Sequence, residues 1–284
     1  MPIGRRTVLG GLVASAAAGL AAWPLLSQQP VKDRIGRTPD EEKLIAQLGV
    51  PVVKVPGAAA LATWEQMRAS SDGYPVILGD VSALTDIVGS MEFFAGNPAG
   101  SARETIITEG SALDFPAVIH ALRKEERDRF RAEYPEYAEE IDDDTVDYGP
   151  WPKVAPESPG LTVHADVLSG KPFDSVFIAR IPSPHGWHAP AWFHWGGWNA
   201  NPLPKYHVAA LRTWEERYGA ELVGMDAATL NLRVKRRPET REEALALAYA
   251  QYDYCNDIVD QGVGTIANHA ASLMESDWWY FWWD

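Results

Sequence analysis

Cysteine is nearly absent from this chain. Cys255 is the only one in 284 residues, so no internal disulfide framework is possible. No cysteine follows the first apolar stretch, which excludes a lipid-modified anchor there. Positive charge is also in short supply: 25 Lys and Arg against 39 Asp and Glu give a formal charge of −14. A surface of that sign repels phosphate backbones, so no nucleic-acid partner is expected. The sequence has no Gly-rich phosphate loop, Walker motif, dinucleotide fingerprint or nucleophile-elbow serine. It also has no internal repeat, and no low-complexity tract beyond the N-terminal stretch.

What is present begins with aromatics. Of 12 tryptophans, 9 lie after residue 186. At the other end, Arg5 and Arg6 precede a 19-residue uncharged run, 8–26, rich in Ala, Gly and Leu. A basic start, a mild apolar stretch and small residues describe an export signal over 1–26, and the paired arginines resemble the twin-arginine type. Ala16, Ala18 and Ala22 are candidate cleavage points. The location expected from this is periplasmic or cell-envelope. If uncleaved, 8–26 would be the only membrane contact, and Gly10, Gly11, Gly19 and Pro24 weaken it as a span.

The rest divides by pattern. Residues 27–43 are polar and read as a linker. A small α/β unit follows over 44–115: a strand at 50–55, a helix at 58–69, a strand at 74–79, then a helix capped by Asp80, giving a βαβα unit. Residues 116–160 read as an acidic helix and a Pro-rich connector. Within them, 123–148 carry 11 acidic and 5 basic side chains, and Leu122, Phe130, Tyr134 and Tyr137 form a thin apolar stripe. The acidic end, 139–147, lacks the glycine-centred alternation of a calcium loop.

In the final domain, 161–284, strands are expected at 161–168 and 173–181, the second covered on both faces. A helix is expected at 205–218, closed by Gly219. A hairpin turns at Ala227 and Ala228. The next helix is capped by Thr240 with Glu243, and a last helix spans about 263–274. The fold class is α+β, with the C-terminal domain a mostly antiparallel sheet packed by three helices.

The final third carries a recognisable order of motifs. Pro190 and Ala191 are followed by Trp195-Gly196-Gly197-Trp198-Asn199, and 214–222 read WEERYGAEL. Then come Arg237-Pro238, Glu243-Ala244, Tyr252, Tyr254-Cys255, Asp257-Ile258-Val259, Gln261-Gly262 and a closing Phe281-Trp282-Trp283-Asp284. This text resembles DUF4253, a bacterial domain family of unknown function, over about 173–284. Residues 74–79 resemble a segment upstream in longer members. The family pattern carries a cysteine near position 201 and a proline after the Tyr-Cys pair. Asn201 and Asn256 stand there in this chain, so any cysteine pair for metal is lost. The resemblance implies a boundary but no activity.

Candidate chemistry gathers in the Pro- and Gly-rich loop of 182–204. His185 and His188 with His194 have spacing that can offer three metal ligands, though zinc histidines normally sit on rigid elements. The ladder of Trp192, Trp195 and Trp198 beside Asn199 suits a sugar ring or an aliphatic ligand, or else a packed core. Cys255 with His269 or His194 as base is a weaker nucleophile candidate. Among carboxylates, Glu215, Glu221, Asp253, Asp257 and Asp284 fall within the recognisable segments, with Arg212 or Arg233 as expected partners of Glu215. The ligand-binding set is therefore Trp192, Trp195, Trp198, Asn199, Glu215 and Asp257. No cofactor is expected unless the histidines hold a metal. The reading is an exported binding or immunity-type module acting on a protein or small molecule through the aromatic loop. The alternative is a hydrolase, metal-dependent or not, built on the histidine loop and a carboxylate.

Overall fold

Thr38 and Glu41 set the first element. The Thr38 hydroxyl accepts from the Glu41 amide, and the Glu41 carboxylate accepts from the Thr38 amide. This reciprocal cap, with Pro39 in the first turn, starts α1 (Pro39–Leu48) inside the stretch that composition marks as linker. The protein is described by a computed structural model over residues 31–70, 72–95, 102–137 and 146–284. The export signal and nearly all of the acidic run at 139–147 lie outside the described residues. Among the described residues no helix is long and apolar enough to cross a membrane.

The class is α+β, with helices around a mixed six-stranded sheet. β1 (Val52–Val55), α2 (Ala60–Arg68), β2 (Tyr74–Ile77) and α3 (Val81–Ala95) follow the expected order. Asp80 caps α3 by accepting from the Ser82 and Ala83 amides. α4 (Arg103–Ala112) was not expected. Its Gly110 is where it meets a later helix, because a Cβ there would lie 2.6 Å from the Lys205 carbonyl and the Val208 side chain. α5 (Ala117–Glu133) is the acidic helix. Its apolar stripe is only half real: Leu122 packs on the core, while Phe130 and Tyr134 are exposed and pair with each other at 4.8 Å.

β3 (Val176–Ile181) is the key to the topology. The expected strand at 161–168 is not one: it is a turn-rich loop touching its neighbour only at the isolated bridge Ala165 to Pro172. Asn231 holds that loop instead, its side-chain oxygen accepting from the Thr162 and Val163 amides. β3 inserts between β1 and β2, antiparallel to both, so those two strands never touch. The βαβα order is thus present without a paired βαβ unit, and the strands of 44–115 and of 161–284 share one sheet. Every residue of β1 and β2 is buried, and all of β3 but Arg180, as strands covered on both faces must be.

β2 continues in parallel to β4 (Glu221–Met225), which turns at Ala227 and Ala228 into β5 (Thr229–Arg233), paired in turn with β6 (Trp278–Trp282). The α-helices of this half are a single turn, α6 (Ala189–Trp192), then α7 (Pro204–Tyr218), α8 (Arg241–Tyr254) and α9 (Ile266–Glu275), with a π-helix, Ile258–Val263, between the last two. Thr240 caps α8 by accepting from the Glu243 amide, but Glu243 bonds the Glu239 amide rather than that of Thr240, so the expected box is only half closed. Trp214 of α7, Tyr254 of α8 and Trp279, Phe281 and Trp283 at the C-terminal strand are all buried together.

Candidate functional site: the aromatic loop and α3

The loop between β3 and α7 is folded by its own polar groups. Ser183 Oγ accepts from the His185 amide and lies 2.6 Å from His188 Nδ1. Burial, and His185 nearby, hold His188 down at about 4, so it is neutral at physiological pH. His185 stacks on Trp187 at 4.8 Å and faces Glu215 Oε2 at 3.9 Å. Glu215 therefore meets His185, not Arg212 or Arg233. Arg212 bonds Glu216, and Arg233 bonds Glu65. Burial pushes the Glu215 carboxyl up.

His194 takes another direction. It has φ 47°, a left-handed conformation uncommon outside glycine, and its ring stacks on Phe94 of α3 at 6.1 Å. The structure brings His185 and His188 together and turns His194 toward α3. Among the described residues no group of three or more His, Cys, Asp or Glu is placed to hold a metal ion.

The tryptophans do not form a ladder either. Trp192 lies beneath Arg103 of α4, whose guanidinium carbon sits 3.6 Å from the ring centre. Trp195 is almost fully buried, with its indole N–H donated to the Asp226 carbonyl at 2.7 Å. Trp198 is half-buried and meets Trp195 edge to face at 5.2 Å. The reason is local: Gly196 and Gly197, with φ 111° and 87°, turn the chain between the two rings. A Cβ on Gly196 would collide with the Pro202 carbonyl and come within 2.6 Å of His207 Nε2, so the turn is closed to any other residue. Asn199, also left-handed, donates its side-chain amide to the Asp284 carbonyl. Asp257 binds the same end of the chain by accepting from the Asp284 amide. Asn199 and Asp257 thus pin the C-terminal strand.

Beneath the turn is a buried polar group that the sequence did not single out. His207 is fully buried, with Nε2 2.7 Å from Asn201 Oδ1 and Nδ1 2.5 Å from the Tyr254 hydroxyl. Burial holds its pKa down at about 3. The neutral ring then donates from Nε2 to the amide oxygen and accepts the Tyr254 proton at Nδ1. Cys255 and its two proposed bases are each engaged elsewhere, with His194 stacked on Phe94. The Cys255 thiol donates to the Trp282 carbonyl and burial pushes it up, while His269 meets Gln251.

A pocket of about 390 Å³ opens where this loop faces α3. Asp86, Ile87, Ser90, Phe93 and Phe94 supply one wall, Trp195 to Trp198 the other, and Ala227 of the hairpin turn the end.

Residues 177–284 match the model of a family described as a domain of unknown function, DUF4253. No curated protein and no solved structure matches the chain. The DUF4253 region supplies the Trp195–Trp198 wall and Ala227, whereas the α3 wall comes from the sequence before it. Of the residues singled out in the sequence, Trp195 and Trp198 line the pocket. Trp192, Asn199, Glu215, Asp257 and the three histidines do not. The α3 wall was missed, although adjacent Phe93 and Phe94 were a readable signal. Consecutive helical residues point about 100° apart and cannot both face a core.

Proposed function

We propose that this protein is a binding module that holds a small, largely apolar ligand between α3 and the aromatic loop. The pocket's construction carries the reading: rings from two separate segments line it, and its polar side chains outside the rings are Asp86 and Ser90. Ligand sites are typically concave, apolar and of about 300–1,000 Å³, with a few polar groups fixing orientation. A hydrolase on the same loop needs histidines converging beside a carboxylate. That reading has less support, since His194 stacks on Phe94 while His188 faces Ser183. The proposal calls on no cofactor.

The test uses a neutral fluorescent probe, N-phenyl-1-naphthylamine, titrated into the full chain. Saturable binding is expected, and Ala227→Trp and Ser90→Phe, which fill the pocket, should abolish it with the unfolding midpoint preserved. Absence of saturable binding, or binding undiminished in both variants, overturns the reading.

We also propose export, on the sequence pattern of Arg5, Arg6 and the uncharged run after them. Cell fractionation of the Arg5→Lys, Arg6→Lys double variant tests it. Retention in the cytoplasm is expected, and unchanged export would remove the twin-arginine assignment.

A further inference from the structure

We infer that the pocket's ligand is an organic cation, an alkylated ammonium group held among the Phe93, Phe94, Trp195 and Trp198 rings with the Asp86 carboxylate beside it. This rests on the binding-module reading and adds to it the charge and chemical class of the ligand.

Three features carry it. The first is ring geometry. Phe93 and Phe94 meet edge to face at 5.4 Å and 84°, and Trp195 and Trp198 at 5.2 Å and 89°. Phe94 has one face on His194 and Trp195 is almost fully buried, so Phe93 and Trp198, one on each wall, are the rings with the most surface open at the cavity. Ring faces carry partial negative charge and attract ammonium groups, tryptophan most strongly. The Trp195 N–H is already donated to the Asp226 carbonyl, so that ring offers the cavity no donor.

The second is the sign of the charge. Asp86 is the sole ionisable residue lining the pocket among the described residues, and no Lys or Arg lines it. Beside Trp195, burial and, least among its influences, Asp80 push the Asp226 carboxyl up. An anionic ligand would meet this field, and a chain of formal charge −14, unfavourably.

The third is the scarcity of hydrogen-bonding groups. Ser90 already donates its hydroxyl to the His194 carbonyl at 3.2 Å. A sugar needs several convergent donors and acceptors, and this lining leaves little besides the Asp86 carboxylate. A quaternary ammonium group needs none, only ring faces and a counter-charge.

The experiment compares two isosteres on the full chain: benzyltrimethylammonium and uncharged neopentylbenzene. Each is used to displace N-phenyl-1-naphthylamine. The cation should bind about tenfold tighter than its neutral twin. Asp86→Asn should remove most of that preference while leaving the neutral compound's affinity unchanged, which also reports that the pocket is intact. Phe93→Leu should weaken the cation more than the neutral compound, and added salt should narrow the gap. Equal affinities, or a neutral compound that binds tighter, overturn the cation assignment and leave the binding module standing. A preference that survives Asp86→Asn removes Asp86 from the site. If the probe itself does not bind, both readings fall together.

Discussion

Two aromatic assemblies lie side by side in this protein, and only one is closed. In the inner one Trp214 stacks on Phe281 at 5.1 Å and 6°, and Tyr254 meets Trp214, Phe281 and Trp283 at near right angles. Those rings come from regular elements or, for Trp283, from the residue just after one, and the periodicity puts one ring after another on the same buried face. In the outer assembly Phe93 is 67% exposed and Trp198 half-buried. Those rings come from adjacent positions on one helix and from a glycine turn, where neighbouring side chains must diverge. Trp195 belongs to both: it touches His207 and Trp283 inward and Trp198 outward. Ring chemistry is the same on both sides. What differs is whether the backbone lets every face find a partner.

The sharpest way to break this comparison is to cut each assembly and compare the costs. Trp214→Ala should cost about 3–5 kcal/mol, as for large aromatic deletions in a packed core. Urea unfolding reads it directly, and a loss under about 1 kcal/mol would mean the inner assembly is not the core.

Acid should act on the inner assembly next. His207 and His269 are held at about 3 and about 4, below the ordinary value of 6.5, by burial. Below that ordinary value the unfolded chain takes up protons that the folded chain refuses. Stability therefore falls as pH drops from about 6.5 toward the folded values. Each histidine should cost about 1 kcal/mol between pH 6.5 and about pH 5.5, measured by urea midpoints. His269→Gln should flatten part of that slope, and a pH-independent midpoint would contradict the burial of both rings.

Tyr254→Phe removes the proton that His207 accepts and should cost about 1 kcal/mol or somewhat more, since it strands a buried acceptor. Phe93→Ser, on the outer assembly, should change stability by less than about 0.5 kcal/mol while weakening the neutral probe. A loss as large as that of Trp214→Ala would erase the distinction between the two regions.

Much of the fold was legible because it rests on local signals. The strictly alternating Leu230, Leu232 and Val234 and the Asp226-Ala227-Ala228 turn gave the hairpin. Asp80 and Thr240 announced their helices. Thr38 with Glu41 was an equally plain cap, hidden by the polar composition around it. The strand expected at 161–168 failed for a non-local reason: its backbone is claimed by the Asn231 side chain, and nothing in its own text says so. The candidate site was half legible. The loop carried its tryptophans, glycines and histidines openly. Spacing along a loop does not fix direction, however, so His194 and Trp192 left the group the spacing had put them in. The opposing wall lay outside the motif-bearing segment altogether.

The placement of β3 between β1 and β2 bears on how the protein is made. On the ribosome, residues 52–55 and 74–77 emerge long before 176–181, and they have no strand to pair with until then. Pairing across so much chain carries a loop-closure cost that local helices do not. A nascent chain halted before Val176 would expose two short apolar strands with their edges open, the kind of segment that chaperones bind and that aggregates. This side of the sheet therefore has to close late, when the second half of the chain delivers the strand that the first half lacks.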